Sequence, residues 1–315
     1  MAPILVLGEA LIDRLASGPV AGGAPFNVAR SLAALGLPVR LISRIGAQDE
    51  DAERVLASAR SRGLDVSGIQ RDPLHATGAV TVHNNDTSHS FEIHENAAWD
   101  YLDMAAALAA IPVPPPAIVY FGTLAQRHID TRQAIRAVLN GTTALRYLDL
   151  NLRQPFTTRE LVVESLELAD WLKVSDDELS TLLQWFVPHY KVDLFAAPST
   201  LQSAVAELMR QFSIKRIVLT LGARGWATFD NRGQCDQSGP AEHLPHVVDT
   251  VGAGDAFSAM LLAQVAKGGN LRFALPLAAG YAAAMCGQRG PMAETDDFFE
   301  PWRQRLQTAV LQEAV

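Results

Sequence analysis

Val39-Arg-Leu-Ile-Ser-Arg-Ile45, followed by Gly46-Ala-Gln-Asp49 and then by Glu50–Arg62 closed with Gly63, carries the pattern from which the fold is read. The first segment, with Val39, Leu41, Ile42 and Ile45 as its apolar residues, reads as a strand. The second has the periodicity of a helix that Gly63 stops. The same unit recurs on both sides. Upstream, Ile4–Leu7 reads as a strand, and Pro25–Leu35 as a helix with Val28, Leu32 and Leu35 on one face and Gly36 as its stop. Downstream come a strand at Ile118–Phe121, a helix over Thr131–Leu139 capped by Asp130, and a strand at Leu145–Leu150. A helix over Arg159–Leu168 follows, opened by the capping box Thr157-Thr-Arg-Glu160. Leu172–Val174 and Ile217–Leu221 are further strands, with a Ser199-capped helix between them. Gly254–Ala266 and Phe273–Cys286 read as long helices, apolar nearly all round and therefore buried. Strands alternating with helices predict an α/β chain with a mostly parallel central sheet covered by helices on both faces.

One region breaks the alternation. Thr77–His83 and Ser88–His94 flank Asn84-Asn-Asp-Thr87, a β-hairpin signal, and Leu11–Ala16 supplies a third strand beside it. A small antiparallel sheet of this kind, drawn from about 11–16 and 77–94, reads as a lid on the larger layer. With no internal repeat or linker, residues 1–315 are expected to form a single domain.

Composition narrows the function classes. The chain has 315 residues, 49% of them hydrophobic and 19% charged, enough for a large core and far from a disordered composition. A net charge of -8 does not make the basic footprint of a nucleic-acid binder. Cys235 and Cys286 stand far apart with no CxxC, which fits a reducing cytosol. Met104–Gln126 is free of charge over the length of a membrane span, but Pro112, Pro114, Pro115 and Pro116 break any helix through its middle. A short Ala-rich helix, a proline turn and a buried strand are expected there. The N-terminus has no basic segment and reads as a strand instead of a signal peptide.

The chemistry concentrates in Asp249-Thr-Val-Gly252-Ala253-Gly254-Asp255, which opens the helix running to Ala266. The two glycines let the backbone turn tightly and approach a ligand. The free N–H groups at the helix start suit an anion such as phosphate. Asp255 reads either as a plain first-turn acid or as a base for an attacking hydroxyl. Capping alone needs neither two glycines nor the second carboxylate at Asp249. Gly22-Gly23-Ala24-Pro25-Phe26-Asn27 is a second glycine turn leading into a helix, with Asn27 placed to meet a sugar hydroxyl or merely to sit in a junction. Asp13, just past the first strand, is a polyol acceptor or a solvated loop acid. Asp149 to Arg153, Lys173 to Glu178 and Leu221 to Gly225 put polar residues and glycines at strand ends, where ligands of open α/β sheets gather. Walker, GxGxxG, HExxH and GxSxG patterns are absent, the eight histidines show no ligand spacing, and Trp99 reads best as packing.

These blocks resemble the ribokinase-like (phosphofructokinase-B) sugar kinases, most closely the bacterial fructokinases. Asp249-Thr-Val-Gly-Ala-Gly-Asp255 is similar to the C-terminal signature of that family and Gly22-Gly-Ala-Pro-Phe-Asn27-Val-Ala29 to its N-terminal one. Gly8-Glu-Ala-Leu-Ile-Asp13, Asp149-Leu-Asn-Leu-Arg153, Lys173-Val-Ser-Asp-Asp-Glu178 and Leu221-Gly-Ala-Arg-Gly225 follow in the family's order. The resemblance implies an ATP-dependent kinase with Asp255 as general base and the backbone N–H groups of Gly252, Ala253 and Gly254 as anion hole. It implies Asp13, Gly23 and Asn27 on sugar hydroxyls, and Arg153 over sugar or phosphate. Gly222 and Gly225 would lie along the nucleotide, Lys173 and Glu178 near phosphates and Mg²⁺, and Asp249 beside a monovalent cation such as K⁺. Fructose is the expected acceptor. A kinase for 2-keto-3-deoxygluconate, another polyol or a nucleoside stays open, as does a catalytically silent binding relative. The outer face of the lid is a candidate homodimer surface. Ser175 stands where many members carry Asn, and Gln184–Pro198 has no counterpart in the pattern.

Overall fold

The computed structural model describes residues 1–315 apart from 16, 86–87, 190–197, 245 and 312–315, with the side chains of 82–85, 88–91 and 309–311 also left undescribed. The chain opens with β1 (Ile4–Leu7), β2 (Leu11–Leu15), β3 (Gly18–Gly22) and α1 (Ala24–Ala34). Next come β4 (Val39–Gly46), α2 (Glu50–Arg60), β5 (Ile69–Asp72), β6 (Gly78–Asn85), β7 (Ser88–Ile93) and α3 (Met104–Ala109). The middle third contributes β8 (Ile118–Gly122), α4 (Ile129–Asn140), β9 (Leu145–Asp149), α5 (Arg159–Leu166), β10 (Trp171–Ser175) and α6 (Asp176–Phe186). It closes with α7 (Pro198–Phe212), β11 (Arg216–Thr220), β12 (Trp226–Phe229), β13 (Cys235–Gly239), α8 (Ala253–Ala266), α9 (Leu271–Cys286) and α10 (Glu300–Leu311).

Among the described residues these strands make two sheets. The larger has nine strands in the order β13-β12-β11-β10-β9-β8-β1-β4-β5. From β11 to β5 every pairing is parallel, and β12 and β13 join antiparallel at one edge. Its central strands show why it must be covered twice. Ile4 and Val6 of β1 and Ile118 and Tyr120 of β8 point into one core, shared with residues of α1, α8, α9 and α10. Leu5, Leu7, Val119 and Phe121, one residue out of phase, point into a second core built with α4, α6 and α7. A strand alternates faces, so continuous apolar runs fit only a sheet buried on both sides.

The smaller sheet is β3-β2-β6-β7, with β2–β3 and β6–β7 antiparallel and β2–β6 parallel. It contains the expected hairpin and the strand from Leu11, together with β3, which the sequence reading missed. Ala16 and turn residues 86–87 lie outside the described residues, as do 190–197 from the stretch without a family counterpart.

Local details differ at several helix starts. The cap of α4 is His128, which accepts from the Asp130 N–H, so Asp130 belongs to the first turn. The cap of α5 is Thr158, accepting from Leu161, while the hydroxyl of Thr157 accepts from the Arg153 N–H. The helix expected from a Ser199 cap already includes Pro198. As expected, the proline run separates α3 from the buried β8. Among the described residues no helix is long and apolar enough to cross a membrane.

Candidate active site

The polar residues singled out from the sequence converge at the carboxyl ends of the parallel strands. Gly252, at φ 78°, is the N-cap of α8. A Cβ there would stand 2.7 Å from Pro291 Cα, so glycine satisfies both the left-handed turn and the close approach of the 288–291 loop. Asp249 ties that turn down: its carboxylate accepts from the Val251 N–H at 3.0 Å and from the Gly290 N–H at 3.0 Å. The N–H of Gly254 lies in the first helical turn, where no intrahelical carbonyl is available. Ala253 donates to the Thr250 carbonyl at 3.2 Å, a long bond that closes the turn.

Asp255 follows in the first turn of α8. Asn27 Nδ2 donates to its Oδ2 at 2.8 Å across 228 residues of chain. Asn27 is 5% exposed, while Asp255 keeps partial access. Burial raises the Asp255 pKa to about 6; the bond from Asn27 opposes that rise, and the charge of Asp149 adds to it. The carboxylate is therefore ionised near neutrality yet more basic than a surface aspartate.

Beneath it lies a buried polar network. Lys173 Nζ donates to Asp149 Oδ1 at 3.0 Å, and Ser258, one turn beyond Asp255 on α8, donates to Asp149 Oδ2 at 2.9 Å. The Tyr120 hydroxyl reaches the same oxygen at 3.4 Å, and Tyr147 meets Ser258 at 3.3 Å. Burial works against the Lys173 charge, but Asp149 and Glu178 outweigh it and hold the pKa above its ordinary value. A Cβ on Gly254 would lie 3.0 Å from Lys173 Nζ, so this ammonium stands directly against the glycine turn. Glu178 is otherwise engaged. Its two oxygens accept from Leu152 and Ser175 N–H groups at 2.8 Å, the latter as half of a capping box on α6.

The smaller sheet contributes Asp13, which sits on β2 opposite Val20 of β3. A Cβ on Gly22 would fall 2.1 Å from its carboxylate, and one on Gly23 (φ 104°) 2.7 Å from the Glu9 carbonyl. The double glycine thus lets the acidic residues close around the start of α1. Burial lifts the Asp13 pKa to about 6, against the pull of Arg30. Arg153 is exposed at the rim, with a 3.5 Å contact from its guanidinium to the Leu152 carbonyl. Its charge is felt at Glu9, Asp13 and Asp255 alike.

On the far side, the turn Gly222–Arg224 follows β11, with φ 56° at Gly222 and 109° at Gly225. A Cβ on Gly225 would sit 2.0 Å from the Gly239 carbonyl, whereas nothing lies within 4 Å of one on Gly222. Arg224 pairs with Asp176. Trp99 is 1% exposed with the Arg127 guanidinium 4.0 Å above its ring, so it packs and does not line the site. Among the described residues no three His, Cys, Asp or Glu side chains converge as a protein-held metal centre requires.

Sequence reasoning missed two buried residues here. Glu9 is 2% exposed, its Oε2 has no partner, and burial raises its pKa to about 7. It stands next to Gly8 at the end of β1, the same kind of strand end that flagged Asp149. Arg30 is 4% exposed and three residues from Asn27, a spacing that shares a helix face.

Comparison with known proteins identifies the family and the fold. A family model described as pfkB family carbohydrate kinase matches residues 18–297. The Escherichia coli fructokinase is 26% identical over 330 residues, spanning 98% of this chain and 99% of the relative. The crystal structure of an uncharacterized sugar kinase from Pyrococcus horikoshii superposes with a TM-score of 0.77 at 24% identity, covering 98% of this chain and 100% of the other. A fructokinase double mutant from Vibrio cholerae, solved with fructose, ADP and potassium ion bound, gives a TM-score of 0.75 at 22% identity over 93% and 94%. The fold is the ribokinase-like one of these kinases.

Proposed function

Because the chain belongs to the pfkB family of carbohydrate kinases, we propose that it transfers the γ-phosphoryl group of ATP to the terminal primary hydroxyl of D-fructose. The observation that carries the reading is Asp255 in the first turn of α8, held by Asn27 beside the Gly252–Gly254 turn. Phosphoryl transfer needs positioning and charge stabilisation more than covalent help from the protein. Asp255 takes the proton of the acceptor hydroxyl as its oxygen bonds to the γ-phosphorus and the bond to the β-phosphate oxygen breaks, leaving ADP. The N–H groups of Gly252, Ala253 and Gly254 face the transferring oxygens, and the helix start adds its positive end. For Ala253 this requires release of its long bond to Thr250.

Lys173, pressed against Gly254 and kept charged by Asp149, neutralises phosphate charge. Asp13, Gly23 and Asn27 meet sugar hydroxyls, and Gly222 and Gly225 run along the nucleotide. Mg²⁺ would accompany ATP and neutralise phosphate charge, with Glu178, each of whose oxygens keeps a lone pair beyond its one N–H bond, as the carboxylate nearest to hold it. A K⁺ site beside Asp249 is compatible with that residue, with backbone carbonyls of the 288–291 loop as further ligands. The E. coli relative's name and the fructose in the Vibrio cholerae structure support the choice of sugar.

A second acceptor is favoured by one observation. Arg153 presents an exposed guanidinium whose charge is felt at Glu9, Asp13 and Asp255, and a sugar acid such as 2-keto-3-deoxygluconate would want a cation there. The test is ADP release with Mg-ATP across fructose, ribose, 2-keto-3-deoxygluconate, glucose and adenosine. Fructose is expected to give the highest kcat/KM. A higher value for any other acceptor removes fructose, and no turnover with any of the five counts against the kinase reading itself.

A further inference from the structure

Arg30 is buried on α1 and bonds to Asn27, the residue that holds Asp255. Its Nη2 donates to Asn27 Oδ1 at 2.5 Å and to the Ala21 carbonyl at 3.0 Å, and its Nη1 donates to Ser58 at 2.7 Å. The guanidinium lies 4.4 Å from the centroid of the Phe26 ring, over its face. Guanidinium can only donate hydrogen bonds. The end of the Asn27 amide that meets it must therefore be the oxygen, which leaves the NH₂ end for Asp255. A carboxylate at Asp255 needs that donor, and an asparagine turned the other way would set oxygen against oxygen.

We propose that Arg30 is a positioning residue for phosphoryl transfer: it fixes the orientation of the Asn27 amide, and through it aims the Asp255 carboxylate. This inference rests on the reading of Asp255 as the base. Arg30 also works at longer range: its charge opposes the rise in the Asp13 pKa, while burial and the charge of Arg62 lower its own pKa to about 9, against the pull of Asp255 and Asp13. Other charged groups act on Asp255: Asp149 and Lys173 from the sheet, Arg153 from the rim and Glu9 from the end of β1. None of these bonds to Asn27, so the amide's orientation is left to Arg30.

The experiment compares Arg30→Met, Arg30→Lys, Asn27→Leu and the Arg30→Met/Asn27→Leu double variant, with the acceptor that shows the highest kcat/KM. Arg30→Met is expected to lower kcat about 10–100-fold, since misaimed catalytic groups cost on that scale. KM for ATP should stay within about threefold, because ground-state nucleotide binding is untouched. The acid limb of the pH–rate profile should move to higher pH, as Asp255 loses a donor to its charged form. Arg30→Lys, which keeps the charge and one donor, should recover part of the rate and of the limb's position. In the double variant the losses should not multiply, because both changes break one link.

Multiplying losses, or Arg30→Met with unchanged kcat and acid limb, overturns the proposal. Should Arg30→Met fail to fold, Asn27→Leu is read instead: a kcat and acid limb both unchanged from the parent would overturn the proposal, because no link through Asn27 would then exist. If Asp255→Asn remains active the base reading fails first; if Asp255→Asn is inactive while the Arg30 variants behave normally, only this inference fails.

Discussion

Three carboxylates at the head of α1 and α8 are held in conditions that favour their neutral forms. Glu9 is the extreme case, since its Oε2 is buried with no partner and its pKa rises from an ordinary 4.5 to about 7. The native state therefore keeps a proton that the unfolded chain has released between those values, and this contribution to stability is lost as pH rises from 4.5 through 7. Glu9→Gln keeps the shape and removes the ionisation. It should raise the melting temperature at pH 8, where burying the charge costs about 1–3 kcal/mol, and change it little at pH 5. Thermal melts at the two pH values check this; an equal effect at both would mean that Glu9 is not ionising in the fold. Such a liability fits a site residue better than a structural one.

At the scale of elements, the N-terminus of α8 depends on Gly252. Its φ of 78° and the 2.7 Å approach to Pro291 leave no room for a side chain. Gly252→Ala should strain the turn by about 1–3 kcal/mol and lower kcat at least about tenfold. Denaturant melts and steady-state kinetics separate the two effects. Near-normal kcat in a folded variant would reduce the loop to a simple turn. The strain falls on Gly252 and not on Gly254, whose crowding comes from Lys173.

The same scale shows what the sequence made legible. Ile4–Leu7 and Ile118–Phe121 are apolar without interruption because both faces of the sheet are covered, so their strands were plain. β3 reads Gly-Pro-Val-Ala-Gly and β13 reads Cys-Asp-Gln-Ser-Gly. Neither has an apolar run or a clear alternation, because each is an edge strand paired on one side only. The caps at His128 and Thr158 shifted by a residue or two because a capping side chain competes with neighbours that local sequence does not rank.

For the molecule as a whole, the site exists only when distant segments meet: α1 with α8, β2 with β6, β9 with β10. Its glycine turns were legible because a left-handed φ and a bare backbone restrict composition. Links such as Arg30–Asn27–Asp255 and Lys173–Asp149–Ser258 were not, because one chain records no pairing between them. Placement of Asp13 shows what the smaller sheet adds, since β2 carries it to the mouth of a site otherwise built on the large one.

The central claim is that Asp255 accepts the proton of the attacking hydroxyl, and Asp255→Asn tests it most directly. The amide fits the same space and can still accept the bond from Asn27, so sugar and ATP dissociation constants should stay close to those of the parent protein. Turnover, measured by ADP release at saturating substrates, should fall by about 10²–10⁴-fold. A folded variant that retains more than about a tenth of the parent kcat would contradict the account.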